Sequence, residues 1–152
     1  MPTAALELTE RPGIAHFDKE NMAMPRTLVL VVEDELLVRE DALDLLRRAG
    51  LDAYGFGSAT DALAFLRDHA QETAAVFTDM WLESATEGLD LAATINATWP
   101  WISLLVTSGA TARPPTGLPL KAHYVTKPWR PEQVLRFLQK QVRPECSRSE
   151  AA

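Results

Sequence analysis

Four short apolar runs, each cut off by polar side chains, decide what this chain can fold into. The sharpest is residues 74–79, AAVFTD, which ends on Asp79. Residues 28–32 (LVLVV) give way to Glu33, Asp34 and Glu35. Residues 102–107 (ISLLVT) lead into Ser108 and Gly109, and residues 123–126 (HYVT) into Lys127 and Pro128. Runs of four to eight apolar or β-branched residues with polar boundaries are the pattern of strands buried on both faces, as parallel sheets require. Residues 52–56 (DAYGF) add a weaker strand, second in chain order.

Between these runs the apolar spacing turns helical. Val38, Ala42, Leu45, Leu46 and Ala49 share one face of a helix predicted over residues 36–49, and Gly50 is placed to cap its C-terminus. Asp34 is of the type that favours that helix's N-terminus. Ser58 or Thr60 can cap a second helix that reaches about His69, with Ala59, Ala62, Leu63, Leu66 and Ala70 on its apolar face. A third helix, over residues 89–97, stops ahead of Trp99-Pro100. Pro131 opens the last helix, whose buried stripe is Val134, Leu135, Leu138 and Val142. In the remaining gap, residues 110–121, Pro114, Pro115, Gly117 and Pro119 leave room for one helical turn at most. Strand and helix thus alternate five times with the fourth helix degraded. That order predicts an α/β doubly wound, five-stranded parallel sheet covered on both faces.

The chain of 152 residues, 47% of them hydrophobic, is long enough for one domain with a sizeable core. Residues 1–25, with Pro2, Pro12 and Pro25 and no sustained periodicity, read as a flexible extension. Residues 26–142 read as the folded domain, and residues 143–152 as a polar tail too short for an output domain. A formal charge of −6 argues against direct nucleic-acid binding through a basic face. A single cysteine, Cys146, allows no internal disulfide and fits the reducing cytoplasm. No apolar run is long enough to span a membrane, and the N-terminus lacks the pattern of a secretory signal.

In an open parallel sheet, ligands gather at the carboxyl ends of the strands. Glu33, Asp34, Asp79, Thr107 and Lys127 all stand there, at the ends of four different predicted strands. Singly, each has a plain structural reading: an acid before a helix caps it, a strand-end threonine caps a turn, a loop lysine is solvated. Together they have a common chemistry. Clustered carboxylates repel and call for a cation, and an all-oxygen set favours Mg²⁺, which takes one or two carboxylates with a phosphoryl oxygen. An ionised aspartate is also a nucleophile toward phosphorus. Lys127 would then supply a point charge, and the Thr107 hydroxyl a hydrogen bond, to a phosphoryl group.

The motifs VVEDE, FTDMWL, LLVTSG and HYVTKPW, spread over residues 26–142, resemble the receiver domain of bacterial two-component response regulators, of the stand-alone type. The resemblance implies a flavodoxin-like fold with strand order 2-1-3-4-5 and Asp79 as the phosphoacceptor. It implies Mg²⁺ held by Asp34, by Glu33 through water, by Asp79 and by the backbone carbonyl of Trp81. Thr107 and Lys127 would bind the phosphoryl group. Tyr124, three residues before Lys127, matches the family's aromatic switch position, which responds when the threonine shifts toward phosphate. The implied partners are a histidine kinase or phosphotransfer protein as donor and an unknown downstream protein. A homodimer is among the forms the family adopts. No turnover beyond self-phosphotransfer and autodephosphorylation is implied.

The sequence departs from the family pattern at three places. RPPTGLP consumes most of the fourth helix, ESATEG after Asp79 is polar and open, and Trp81 is large and apolar where the side chain tunes attack of water on the acyl phosphate. Two other readings stand beside this one. A pseudo-receiver would bind a partner without ever taking phosphate. A haloacid-dehalogenase-like phosphatase would resemble an Asp-x-Asp pattern, whose second acid Asp79-Met80-Trp81 lacks.

Overall fold

Along β1 (Leu28–Val32) every side chain is buried, yet successive residues point to opposite faces of the sheet. Val29 and Val31 join one apolar layer with Ala75, Phe77 and Leu105, while Leu30 and Val32 join the other with Val76, Leu104 and Val106. A strand apolar on both faces must lie inside a covered sheet. In this computed structural model, which describes residues 25–82, 87–109 and 116–142, it does. β1 is flanked by β2 (Asp52–Phe56) and β3 (Thr73–Asp79), and β4 (Ser103–Ser108) and β5 (His123–Thr126) follow. The order is β2-β1-β3-β4-β5 and every pair is parallel.

Among the described residues, four helices cover the two faces. Leu43 and Leu46 of α1 (Leu36–Arg48) and Val134 and Leu138 of α4 (Pro131–Gln141) close the layer that contains Val29. Ala62 and Leu66 of α2 (Ala59–His69) and Leu91 and Ile95 of α3 (Glu87–Thr98) close the other. The Val134 and Leu138 side chains are fully buried, as the spacing after Pro131 requires. A 3₁₀ turn, Ala70–Glu72, joins α2 to β3.

Helix ends follow local chemistry. Gly50 takes φ +89°, its N–H donates to the Arg47 carbonyl (3.0 Å), and the Leu51 N–H donates to the Leu46 carbonyl (3.0 Å). That pair of bonds closes α1 with a glycine in the left-handed region. Ser58 caps α2, its hydroxyl accepting from the Asp61 N–H at 3.1 Å. Asp34 does not cap α1. The residue at the cap is Glu35, with no side-chain capping bond, because Asp34 still lies in the turn that leaves β1.

α3 is described from Glu87, two residues ahead of its first expected residue, Leu89, and its Gly88 N–H donates to the Met80 carbonyl (3.1 Å). Between β4 and β5 no helix occurs among the described residues 109 and 116–122. The rest of that segment, residues 110–115, lies outside the described residues, as do residues 83–86 of the open loop. The flexible extension expected over residues 1–25 (all but Pro25) and the polar tail over residues 143–152 lie outside them too. No helix among the described residues is long and apolar enough to cross a membrane.

Candidate functional site

The chain runs from β1 to β2 on one side and resumes with β3 on the other, so a crevice opens between the carboxyl ends of β1 and β3. Parallel register then lines up the strand ends. Val32 pairs with Thr78, Asp79 with Thr107, and Ser108 with Thr126. Glu33, Asp79, Thr107 and Lys127 are delivered to one edge by this register alone.

Asp79 is the last residue of β3 and is 7% exposed. Both of its carboxylate oxygens are engaged: Oδ1 accepts the Trp81 N–H (3.1 Å) and Oδ2 accepts Lys127 Nζ (2.9 Å). Lys127 Nζ also lies 3.8 Å from Oε1 of Glu33, so one ammonium faces two acids. Glu33 is 6% exposed, and its Oε2 accepts the Glu35 N–H at 3.2 Å. Burial pushes the Glu33 carboxyl up to about 7, and the Asp79 charge adds to the rise; the Glu35 N–H and Lys127 oppose it. For Lys127, burial alone would lower the pKa. The hydrogen bond and charge of Asp79, with the charges of Glu33 and Glu35, outweigh burial and hold it above the ordinary lysine value.

Thr107 is 3% exposed and its hydroxyl has no hydrogen-bond partner among the described residues. A buried hydroxyl without a partner costs about 1–3 kcal/mol, so it marks a place where a ligand oxygen or a water belongs. Glu33, Asp79, Thr107 and Lys127 line a cavity of about 20 Å³, with Val31, Phe77 and Trp129 also in its lining. That is room for one water-sized body. Trp129 packs edge-on to Phe77 (centroids 5.4 Å apart), so its place is structural.

Other sequence-chosen residues stand further out. Asp34 is exposed, and among the described residues no three acidic, His or Cys side chains are grouped to hold a metal ion. Tyr124 is half-buried beside the layer of Leu104 and Val106, opposite Val106 in register. Trp81 is 44% exposed, and its indole Nε1 donates to Ser108 Oγ at 2.9 Å, so the ring spans from β3 to β4.

The donor set suits a hard cation. Two buried carboxylates share one ammonium, every candidate donor is oxygen, and Mg²⁺ needs only one or two carboxylates beside its waters. The donor chemistry of Glu33 and Asp79 suits that ion, while Asp34 stands exposed on the adjoining turn.

Two features were missed by the sequence reasoning. A Cβ added at Gly88 would meet the Asp79 carbonyl oxygen at 2.3 Å and Met80 Cα at 2.5 Å, so only glycine lets α3 abut the end of β3. A glycine just ahead of a helical repeat is the signal that could have found it. The Trp81–Ser108 bond has no such local signal, since it joins residues 27 apart.

An α/β sandwich of this strand order, with an acid pair and a lysine at its switch point, is the architecture of a receiver domain. The family model of the response regulator receiver domain matches residues 29–139. The chain belongs to that family. No curated protein matches it. Among solved structures it is similar to a response regulator receiver domain protein from Clostridium thermocellum (18% identity, TM-score 0.66), covering 82% of this chain and 98% of that one. It is also similar to a response regulator receiver protein from Pseudomonas putida (29% identity, TM-score 0.64), covering 76% and 97%. A BeF3-activated DrrB receiver domain resembles it at 22% identity and TM-score 0.58, covering 76% and 96%.

Proposed function

We propose that this chain is a phosphoacceptor receiver in two-component signalling, working in the cytoplasm, with residues 26–142 as its operative domain. The observation that carries the reading is Lys127 Nζ set 2.9 Å from Asp79 and 3.8 Å from Glu33, beside the unpartnered hydroxyl of Thr107. That is one nucleophile, one cation and one idle donor around a single cavity.

The donor is a histidine kinase or phosphotransfer protein. An oxygen of the Asp79 carboxylate attacks the phosphorus of a phosphohistidine; the P–O bond forms as the P–N bond breaks, and the imidazole leaves with its electron pair and takes a proton. Glu33, Asp34, Asp79 and the Trp81 carbonyl would hold Mg²⁺, which supplies charge neutralisation at the phosphoryl oxygens. Lys127 neutralises the other side. The Thr107 hydroxyl donates to a phosphoryl oxygen and so gains the partner it now lacks. Drawing Thr107 toward the phosphoryl group opens space beside β4, into which Tyr124 turns, and the altered surface is read by a downstream protein or a second copy of the chain. The similarity to a BeF3-activated receiver domain supports an activated form of the same kind.

The experiment is incubation of the full chain with Mg²⁺ and acetyl phosphate, followed by intact mass. One added phosphoryl group is expected, absent in Asp79→Asn and absent without Mg²⁺. A folded wild-type chain that gains no mass would overturn the reading and favour the pseudo-receiver.

A further inference from the structure

We infer that Arg39 is a positioning residue for the acids at the end of β1. The inference rests on the reading of that site as a phosphoacceptor with a bound cation. Arg39 lies one turn into α1, and its Nη1 donates to the Glu33 carbonyl oxygen at 2.8 Å. Its stem crosses the carboxyl end of β2, where two glycines make room. A Cβ on Gly55 would stand 3.2 Å from both Cγ and Cδ of Arg39 and 2.6 Å from Leu43 Cδ1; one on Gly57 would stand 3.1 Å from Arg39 Nη1. The guanidinium therefore lies in a slot that side chains at 55 or 57 would fill.

The consequence falls on Glu33 and Asp34. The Glu33 N–H donates to the Phe56 carbonyl at 3.0 Å, so β2 holds one polar group of that residue and Arg39 holds the other. The carboxylate is held by the Glu35 N–H. A peptide unit is planar, so fixing the Glu33 carbonyl fixes the plane shared with Asp34 and the direction in which Asp34 leaves the strand. One arginine thereby sets the aim of two of the acids proposed to hold the cation, without touching the cation or the phosphoryl group.

Charge and position act here with opposite signs, which makes the role testable. As a charge, Arg39 repels an incoming divalent cation, so its removal would tighten binding. As a pin, its removal loosens the acids and weakens binding; loss of an outer partner of a metal ligand typically costs 10–100-fold in affinity. The second effect dominates, because the guanidinium's charge is screened by solvent, while Arg39 holds the Glu33 carbonyl and only a backbone N–H two residues on holds its carboxylate among the described residues.

The test is a calorimetric Mg²⁺ titration of the full chain, wild type against Arg39→Ala and Arg39→Lys, with amide hydrogen exchange on the metal-free proteins. Arg39→Ala should bind about tenfold more weakly, with faster exchange at the Glu33 and Glu35 amides. Arg39→Lys keeps the charge and most of the stem but not the fork, and should fall between the two. Equal or tighter Mg²⁺ binding by a folded Arg39→Ala overturns the inference, and so does weaker binding with unchanged exchange at the Glu33 and Glu35 amides, which would leave the acids as firmly held as in wild type. Absence of Mg²⁺ binding in the wild type overturns the site reading itself, and the wild-type arm tells that failure apart.

Discussion

Glu33 is a buried acid whose charged form burial disfavours. Its carboxyl is raised from 4.5 to about 7, first by burial. Below pH 4.5 it is protonated in both folded and unfolded chains. Between 4.5 and about 7 the unfolded chain releases the proton and the folded one keeps it, so stability falls as pH rises through that window and levels off above it. The loss is on the order of 1–3 kcal/mol at 1.36 kcal/mol per pKa unit, the lower figure allowing for solvent. Without divalent metal, Glu33→Gln should therefore be more stable than wild type at pH 8 by about that amount, and equal to it at pH 4. Urea midpoints at the two pH values check this; parallel pH profiles would show that Glu33 is as well solvated folded as unfolded. Trp81 is the second residue with a distinct prediction. Its ring spans from the end of β3 to Ser108. Trp81→Asn removes that cover, and the aspartyl phosphate should hydrolyse faster than in wild type. Identical lifetimes, followed by intact mass, would refute a role for the ring.

At the scale of elements, the junction of β3 and α3 is the most constrained. A Cβ at Gly88 would run into backbone atoms, the Asp79 oxygen and Met80 Cα, and backbone cannot step aside as a side chain tip does. Gly88→Ala should cost about 1–3 kcal/mol or more, the usual range for overpacking, and it should also displace Asp79. A urea midpoint within error of wild type would mean that α3 can slide. This junction shows what the sequence could and could not convey. The strands were legible because each apolar run stopped on a polar residue, and in a parallel sheet those stops fall in register: hence Glu33, Asp79, Thr107 and Lys127 meet at one edge as expected. The two helical layers followed from the same alternation, whereas the strand order was implied by the resemblance to the receiver family. The cap of α1 was misplaced by one residue, since Asp34 and Glu35 are both acids and no local pattern separates the turn from the helix. Side-chain contacts away from the aligned strand ends were not legible. Arg39 in its glycine slot, the Trp81–Ser108 bond and the Gly88 approach each join residues whose spacing carries no period.

For the molecule as a whole, the site and the core are separable. The two apolar layers are built from side chains other than Glu33, Asp79 and Lys127. The acids, by contrast, are brought together only in the folded chain, where two of them share one ammonium. A cation that binds this arrangement and not the unfolded chain stabilises it by mass action, about 2.7 kcal/mol at a hundredfold excess over its Kd. For a domain of this size that corresponds to a rise in Tm of roughly 5–15 °C. Thermal unfolding at pH 8 should therefore shift upward with Mg²⁺ and return to its starting value with EDTA, while the far-ultraviolet circular dichroism before melting stays the same. NaCl at matched ionic strength should not reproduce the shift, because screening weakens repulsion between the acids without filling the site. Asp79→Asn should lose most of the response. A wild-type Tm indifferent to Mg²⁺ would mean that Lys127 alone satisfies both acids, and the chain would then be a receiver fold that binds its partners without the metal or the phosphate.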